Sequence, residues 1–264
     1  MKTADSHLKD PLLFNSPDPH DSHHDPKSGR IVQIPDQASL PGSRGSTVLL
    51  WSGNTLIISM IAMQNTDKRQ PRDGAQHGPG ALLNSGLFSN IQSKSNYITS
   101  YDCLNQDLLN DIPDPDVDGM KRPLVVSMAT EKISRQVYDH ARKGRFVITL
   151  GGDHSIGIGT VSGTAKAVRE RLGGREMAVV WVDAHADINT PETSPSGRIH
   201  GMPLAFVSGL AKSRTKDVFD WIEDCHLINL QKLVYIGLRN IDEAEKNLIE
   251  QCGIKAFDMH DIRL

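Results

Sequence analysis

Cysteine is scarce in this chain of 264 residues, and its pattern argues against a disulfide framework. Cys103, Cys225 and Cys252 are odd in number and widely separated, and none forms a CxxC motif. This usage is typical of reduced thiols inside the cell rather than of a small secreted domain. The sequence therefore predicts a cytoplasmic protein.

An excess of charge of one sign is also lacking. The formal net charge is -3, and acidic and basic residues are mixed along the chain. Proteins that bind nucleic acid usually carry a basic stripe or a basic patch rich in aromatic residues, and the sequence has neither. Nucleic acid is therefore not an expected partner.

Long hydrophobic runs are nearly absent. The single candidate for a membrane span is 47–63, and Ser52, Gly53 and Asn54 interrupt it. Each half is too short to cross a bilayer, which takes about 20 apolar residues. Two buried strands, or one strand and its lead-in, explain the segment better, and no membrane partner is expected.

Apolar residues are also sparse in residues 1–45, where Pro, Asp, His and Ser are crowded together. Such a segment buries too little surface to offset the entropy of ordering, so we expect a disordered polar tail followed by one folded domain over 46–264. Five aspartates before Lys27 argue against a mitochondrial transit peptide. A loose metal site on the tail's histidines is less plausible than solvation, because nothing fixes their geometry; they are His7, His20, His23 and His24.

From about residue 120, short apolar runs alternate with segments of helical periodicity. A helix is expected to start at Thr130 and another to follow Gly151-Gly152, each ending at glycine. Apolar runs alternating with helices predict an α/β fold with a parallel sheet covered on both faces. Ligands of such sheets bind beyond the carboxyl ends of the strands. The apolar runs are 124–128, 146–150, 178–182, 234–237 and 254–257.

Two polar clusters follow two of these runs. Gly-Gly-Asp-His-Ser ends at Ser155, and Asp183-Ala-His185-Ala-Asp187 follows the run 178–182. In an extended segment the three polar side chains of the second cluster point to one side, and His154 can approach from the neighbouring strand. Crowded carboxylates need a cation between them. Because the set has carboxylates and imidazoles but no thiolate, it predicts manganese rather than structural zinc.

The segment 188–203 follows directly and is dominated by polar, turn-forming residues. Its Asn, Ser and Thr side chains can hydrogen-bond the charged head of an amino acid, and His200 can relay protons at neutral pH. Alone, such a segment is an ordinary loop; its position after the acidic cluster suggests substrate binding.

Three motifs together resemble the arginase branch of the ureohydrolase family: GGDHS, VDAHADINTPETSPSG-IHGMP and YIGLR-D--E, supported by KRQPRDGAQHGPGAL at 68–82. The resemblance covers about residues 68–264. It implies a three-layer α/β/α sandwich with a mostly parallel sheet (arginase/deacetylase-like), assembled into trimers or hexamers. It also implies hydrolysis of L-arginine to L-ornithine and urea by a hydroxide that bridges two Mn²⁺ ions.

The resemblance also assigns roles by position. It implies that His154, Asp183 and Asp187 bind one manganese, while His185 and the bridging Asp183 bind the other. It makes His200 and Asp187 the catalytic residues, with His200 shuttling protons. The residues implied to bind the α-carboxylate are Asn189, Ser194 and Ser196, and those implied to bind the α-ammonium are Asp242 and Glu245. As acids in a helix's first turn, Asp242 and Glu245 also suit the helix dipole.

The chain departs from the family pattern in two respects that bear on activity. No segment of the form SFDxDxxDP, whose aspartates complete both metal sites in the family, precedes Leu264, and Arg198 stands where the family usually has asparagine. We therefore expect the chain as given to be incomplete at its C-terminus, lacking the last strands and helices of the fold. We also expect weak manganese binding, little or no activity, and a sheet with an unpaired edge and an uncovered apolar face.

Two other functions remain open. One is an agmatinase-type amidinohydrolase, although the polar loop after Asp187 favours an α-amino acid substrate. The other is a catalytically inactive, truncated arginase that serves as a non-catalytic subunit of an active homologue.

Overall fold

The computed structural model describes residues 55–61, 75–94, 98–104 and 112–262. The expected tail over 1–45, with its four histidines, lies outside the described residues, so the tail and the domain boundary at 45/46 stay predictions. The same holds for the first part of the apolar segment 47–63. Its second part forms a strand, as expected.

All strand pairings among the described residues are parallel, which confirms the predicted α/β class. They form two three-stranded sheets, with strand orders β2-β1-β3 and β4-β5-β6. The apolar runs at 146–150, 178–182, 234–237 and 254–257 each form a strand. The strands are β1 Thr55–Ile61, β2 Ile98–Leu104, β3 Phe146–Gly151, β4 Val179–Val182, β5 Leu233–Leu238 and β6 Lys255–Asp258.

Seven α-helices connect or flank these strands in the described part of the chain. They are α1 Gly78–Asn84, α2 Leu87–Lys94, α3 Pro123–Ala141, α4 Ile156–Arg171, α5 Pro203–Ser208, α6 Glu243–Gln251 and α7 Met259–Ile262. Short 3-10 helices lie at Ala75–His77, Ile199–Gly201, Asp224–His226 and Leu230–Lys232. Within the described ranges, no helix has both the length and the apolar character needed to cross a bilayer.

The first apolar run, 124–128, is not a strand but the first turns of α3, so that part of the prediction is wrong. Pro123 begins the helix, where its missing N–H costs nothing. The Asp114 carboxylate accepts the free backbone N–H groups of Leu124 at 3.0 Å and Val125 at 2.8 Å. Thr130, expected to cap the helix, lies inside it and donates its hydroxyl to the Val126 carbonyl at 2.7 Å.

Helix α3 packs closely against α4 through residues without bulky side chains. A Cβ added at Gly163 would lie 2.3 Å from the Ser134 carbonyl oxygen, and one at Gly159 would lie 2.5 Å from that of Thr130. At this contact Ser162 donates a hydrogen bond to the Ser134 hydroxyl at 2.9 Å. The pairing fixes α4, and therefore the turn that precedes it and carries His154.

The two sheets are not paired with each other through β3 and β4 among the described residues. The prediction that His154 comes from a strand neighbouring β4 is therefore wrong. Apolar side chains of these sheets face solvent: Val180 is 60% and Val182 73% exposed, while Trp181 between them is 8% exposed. Phe146 on β3 is 53% exposed. The expectation of an uncovered apolar face is confirmed for these strands.

Candidate metal centre

The turns after β3 and β4 bring together three groups that can bind a metal. Nδ1 of His154 lies 2.9 Å from Oδ2 of Asp187 and 3.5 Å from Oδ2 of Asp183. One ligand atom from each residue falls within 4.8 Å of the other two. The structure thus brings these residues together although they follow strands of two separate sheets.

Burial and charge differ across this group. Asp187 has a side chain only 7% exposed, whereas that of His154 is 43% exposed. Burial lowers the pKa of the His154 imidazole, but its hydrogen bond to Asp187 and the charges of Asp187 and Asp183 outweigh burial and raise that pKa. The two carboxylates therefore favour a positive charge at this position, as a cation site requires.

Asp183 contacts a second imidazole with its other oxygen. Its Oδ1 lies 3.3 Å from Nδ1 of His185 and accepts the His185 backbone N–H at 2.9 Å. The prediction that these side chains point to one side of an extended segment is wrong, since β4 ends at Val182 and Asp187 has a left-handed backbone with φ of 51°. A bend rather than a strand gathers these side chains, with Asp183 between the two histidines.

Trp181 and Asn240 support the cluster, although the sequence predicts neither contact. The Trp181 ring stacks on His154 with centroids 4.9 Å apart, and its Nε1 donates to Oδ2 of Asp187 at 3.3 Å. The Asn240 side-chain amide contacts Nε2 of His185 at 3.1 Å. Trp181 lies in an apolar run, where an aromatic residue is expected in the core, and no local pattern indicates a role for Asn240.

Asp153 lies next to His154 in the chain and was likewise not assigned a role. It is buried, accepts the Ser155 backbone N–H at 2.9 Å, and has Oδ2 3.5 Å from Nδ1 of His200. Burial raises the pKa of the Asp153 carboxyl, but the hydrogen bonds from His200 and Ser155 outweigh burial and lower it. His200 is thus held beside the cluster by a carboxylate that stays ionised.

The residues predicted to bind the substrate's head group divide into two sets. Asn189 donates to the Asp242 carboxylate at 2.7 Å, so the loop after β4 meets the start of α6. Asp242 and Glu245 form a capping box, in which each side chain accepts the other's backbone N–H.

Ser194 and Ser196 serve the loop itself in the present structure. Their hydroxyls accept the backbone N–H groups of Gly197 at 3.1 Å and Arg198 at 3.3 Å. Ser194 is half-buried and Ser196 exposed. Both hydroxyls retain a proton that can be donated to a ligand.

Known proteins resemble this chain in sequence. The sequence profile described as "Arginase family" matches residues 55–264. The chain is 57% identical over 195 residues to the arginase of Coccidioides immitis (strain RS), covering 73% of this chain and 60% of that protein. It is 45% identical over 239 residues to the arginase of Neurospora crassa, covering 84% of this chain and 66% of that protein.

A solved structure shows the same likeness in three dimensions. The crystal structure of Entamoeba histolytica arginase in complex with L-ornithine matches with a TM-score of 0.66 and 28% sequence identity, covering 79% of this chain and 66% of that one. The chain therefore spans about 60% of the length of the first relative and about two thirds of this structure. On the family match and the identities together, this chain belongs to the arginase family.

Proposed function

We propose that this site serves the manganese-dependent hydrolysis of L-arginine to L-ornithine and urea. The observation that carries the proposal is the meeting of His154 with Asp183 and Asp187 beyond the ends of β3 and β4. The names of the relatives and the L-ornithine bound by the Entamoeba histolytica arginase support the same substrate class.

The donor set fits divalent manganese. His154, Asp183 and Asp187 would hold one ion, and Asp183 with His185 would hold part of the coordination of a second. All of these ligands offer oxygen or imidazole nitrogen, which suits Mn²⁺ better than a softer ion. Bound divalent ions supply Lewis acidity, which makes water a nucleophile at neutral pH.

The residues around the ligands fix their orientation. Trp181 restrains both His154, by stacking, and Asp187, by donating a hydrogen bond. Asn240 restrains His185. Such supporting contacts are worth about 10- to 100-fold in metal affinity or activity in known metal sites.

The head group of L-arginine would lie between the loop after β4 and the start of α6. Asp242 would pair with the α-ammonium group, while the buried Glu245 donates its backbone N–H to Asp242. Asn189, Ser194 and Ser196 would bind the α-carboxylate. Agmatine lacks that carboxylate, so these three residues favour L-arginine.

In the reaction, water adds to the guanidinium carbon and the bond from that carbon to the side-chain nitrogen breaks. That nitrogen leaves as the amine of ornithine and takes a proton. His200 would relay this proton to it, with its imidazole held by Asp153. Asp187, beside His154, would act at the reacting centre by holding one of the divalent ions.

A substrate panel tests the proposal. Urea release from L-arginine and from agmatine is measured with and without added Mn²⁺, on the parent chain and on Asp183→Asn. We expect slow release, because the described residues give the second ion only two ligands. Release should depend on Mn²⁺, favour L-arginine over agmatine and be lost in Asp183→Asn. Where release is too slow to follow, thermal stabilisation by L-ornithine against putrescine gives the same comparison.

A preference for agmatine, or equal urea release from parent and Asp183→Asn, would overturn the proposal. We further propose a cytoplasmic location, which the free thiols of Cys225 and Cys252 support. Assembly into homo-oligomers is proposed from family membership.

A further inference from the structure

A second group of metal-binding side chains lies far along the chain from the first, at the 3-10 helix Asp224–His226 before β5. Glu223, Cys225 and His226 each offer one ligand atom, and the three atoms lie within 4.8 Å of one another. The helix packs against α4 beside a cavity of about 240 Å³. None of these residues takes part in the site described above.

The distances within this group match those of a zinc site. Sγ of Cys225 lies 3.6 Å from Oε2 of Glu223 and 3.7 Å from Nδ1 of His226. Tetrahedral zinc with bonds of about 2.3 Å to sulfur and about 2.0 Å to nitrogen or oxygen places such ligand atoms about 3.5 Å apart. Each of the two distances from Sγ therefore needs to change by only tenths of an ångström to fit a zinc ion.

The imidazole is held in the form that a metal needs. The backbone N–H of Glu223 donates to Nδ1 of His226 at 3.1 Å, so Nδ1 carries a lone pair and the proton lies on Nε2. His226 is 6% exposed, and its ring packs edge-on against Trp221 with centroids 5.6 Å apart. A metal ion would take the lone pair in place of the Glu223 N–H, which lies at an exposed residue.

The backbone around the group is fixed from α4. Arg169 donates from Nη1 to the carbonyl oxygens of Cys225 at 2.9 Å and Leu227 at 2.5 Å. Ligands that are already held in place lose little entropy when an ion binds. The side chains of Glu223 and His226 are held in turn by a capping box, in which each accepts the other's backbone N–H.

A buried donor without an acceptor in the described part of the chain belongs to Trp221, whose ring packs against His226. The indole Nε1 of Trp221 is shielded from solvent and has no hydrogen-bond partner among the described residues. Trp221 lines the cavity together with Glu223 and His226. Glu131, Arg135 and Lys166 also line the cavity, and Glu131 pairs with Arg135 at 2.5 Å.

We propose that Glu223, Cys225 and His226 form a zinc site, with the Cys225 thiolate, the Glu223 carboxylate and Nδ1 of His226 as ligands. The fourth position faces the cavity and takes a water or a small oxygen ligand. The thiolate selects Zn²⁺ over Mn²⁺, because soft sulfur favours zinc. The zinc site does not depend on the proposed arginine hydrolysis, and the two proposals are tested separately.

Cobalt substitution tests the proposal on the whole chain. Co²⁺ bound to a thiolate gives a sulfur-to-cobalt charge-transfer band in the near ultraviolet, whereas Co²⁺ at the carboxylate and imidazole site gives none. We expect the band in the parent chain, its loss on adding Zn²⁺, and its absence in Cys225→Ser. Cys252→Ser is the matched control, since it removes another free thiol and should keep the band.

A parent chain without the band, or a band that persists in Cys225→Ser, would overturn the site. His226→Asn gives a second measurement, because its side-chain oxygen can still accept the Glu223 N–H while the imidazole is gone. We expect Zn²⁺ affinity at least about tenfold weaker in this variant, measured by titration against a chromogenic chelator. An unchanged affinity would exclude His226 as a ligand. Thermal melts of each variant confirm that it is folded.

Discussion

His154 and Asp187 meet at 2.9 Å, Nδ1 to Oδ2, although one follows β3 and the other follows β4 of a different sheet. The contact links the two halves of the described fold at the point where the candidate ligands gather. Asp183 extends it, since each of its oxygens lies within 3.5 Å of a different imidazole. Stability and metal binding should therefore be coupled at this point.

The first prediction concerns that coupling. Mn²⁺ in excess should raise the melting temperature of the parent chain, because an ion at about 100 times its dissociation constant adds roughly 2.7 kcal/mol to the folded state. Asp183→Asn should lose this rise, because the variant lacks the carboxylate that lies between His154 and His185. Glu243→Gln, whose native side chain is 80% exposed, is the control and should keep it.

Differential scanning fluorimetry with and without Mn²⁺ measures the effect. An equal rise in Asp183→Asn and the parent would show that the ion binds elsewhere.

The second prediction separates substrate binding from helix capping at Asp242. Asp242→Asn should keep the cap of α6, since asparagine caps helices as well as aspartate, but should lose about 1 kcal/mol with the hydrogen bond from Asn189. It should raise the KM for L-arginine about tenfold or more, because a charged hydrogen bond to the ammonium group is worth about 1.5–3 kcal/mol. Denaturant melts and steady-state urea release give the two readouts.

Asp220→Asn provides the matched control for Asp242→Asn. Asp220 likewise accepts a backbone N–H, from Asp217 at 2.8 Å, in a turn outside the site. Its substitution should leave the KM unchanged. If Asp242 were purely structural, Asp242→Asn would lose stability but leave the KM unchanged.

The sequence predicts an element of the fold where the residues that determine it lie within or next to that element. The runs that became β3, β4 and β5 are short, apolar and bounded by glycine or polar turns, so local pattern was sufficient. The prediction of a strand at 124–128 is wrong because the groups that start α3 are Pro123 and Asp114. Asp114 lies ten residues before Leu124, and no local pattern reveals such a cap.

The candidate site shows the same division. Motif spacing indicates His154, Asp183 and Asp187, and the structure gathers them. It does so through a bend at 183–185 and a left-handed backbone at Asp187, which side-chain alternation does not describe. Partners such as Trp181 and Asn240 depend on packing between distant segments. A tertiary contact of this kind has no signature in a single sequence.

The third prediction is a pH dependence set by Glu245. Burial raises the pKa of this carboxyl above its ordinary value of 4.5, with help from the charges of Asp242 and Asp187. The unfolded chain therefore ionises Glu245 at lower pH than the folded chain does. Its contribution to stability is fully present below about pH 4.5 and is lost as pH rises through the raised folded pKa.

Glu245→Gln removes this titration while keeping an oxygen that can accept the Asp242 backbone N–H. Its free energy of unfolding, relative to that of the parent, should increase between about pH 4.5 and neutral pH. Urea unfolding across that range, with chelator present to exclude metal, measures the difference. A constant or declining difference would contradict the assignment.

The fourth prediction uses two glycines that differ only in their surroundings. Gly163→Ala should destabilise the fold by about 2–3 kcal/mol, because its Cβ would lie 2.3 Å from the Ser134 carbonyl oxygen and force α3 away from α4. Gly80→Ala in α1, where a Cβ meets nothing within 4 Å, should instead stabilise by about 0.5–1 kcal/mol. Urea unfolding of both variants against the parent provides the test. If Gly163→Ala were as stable as Gly80→Ala, the close contact between α3 and α4 would be wrong, and with it the support of the turn that carries His154.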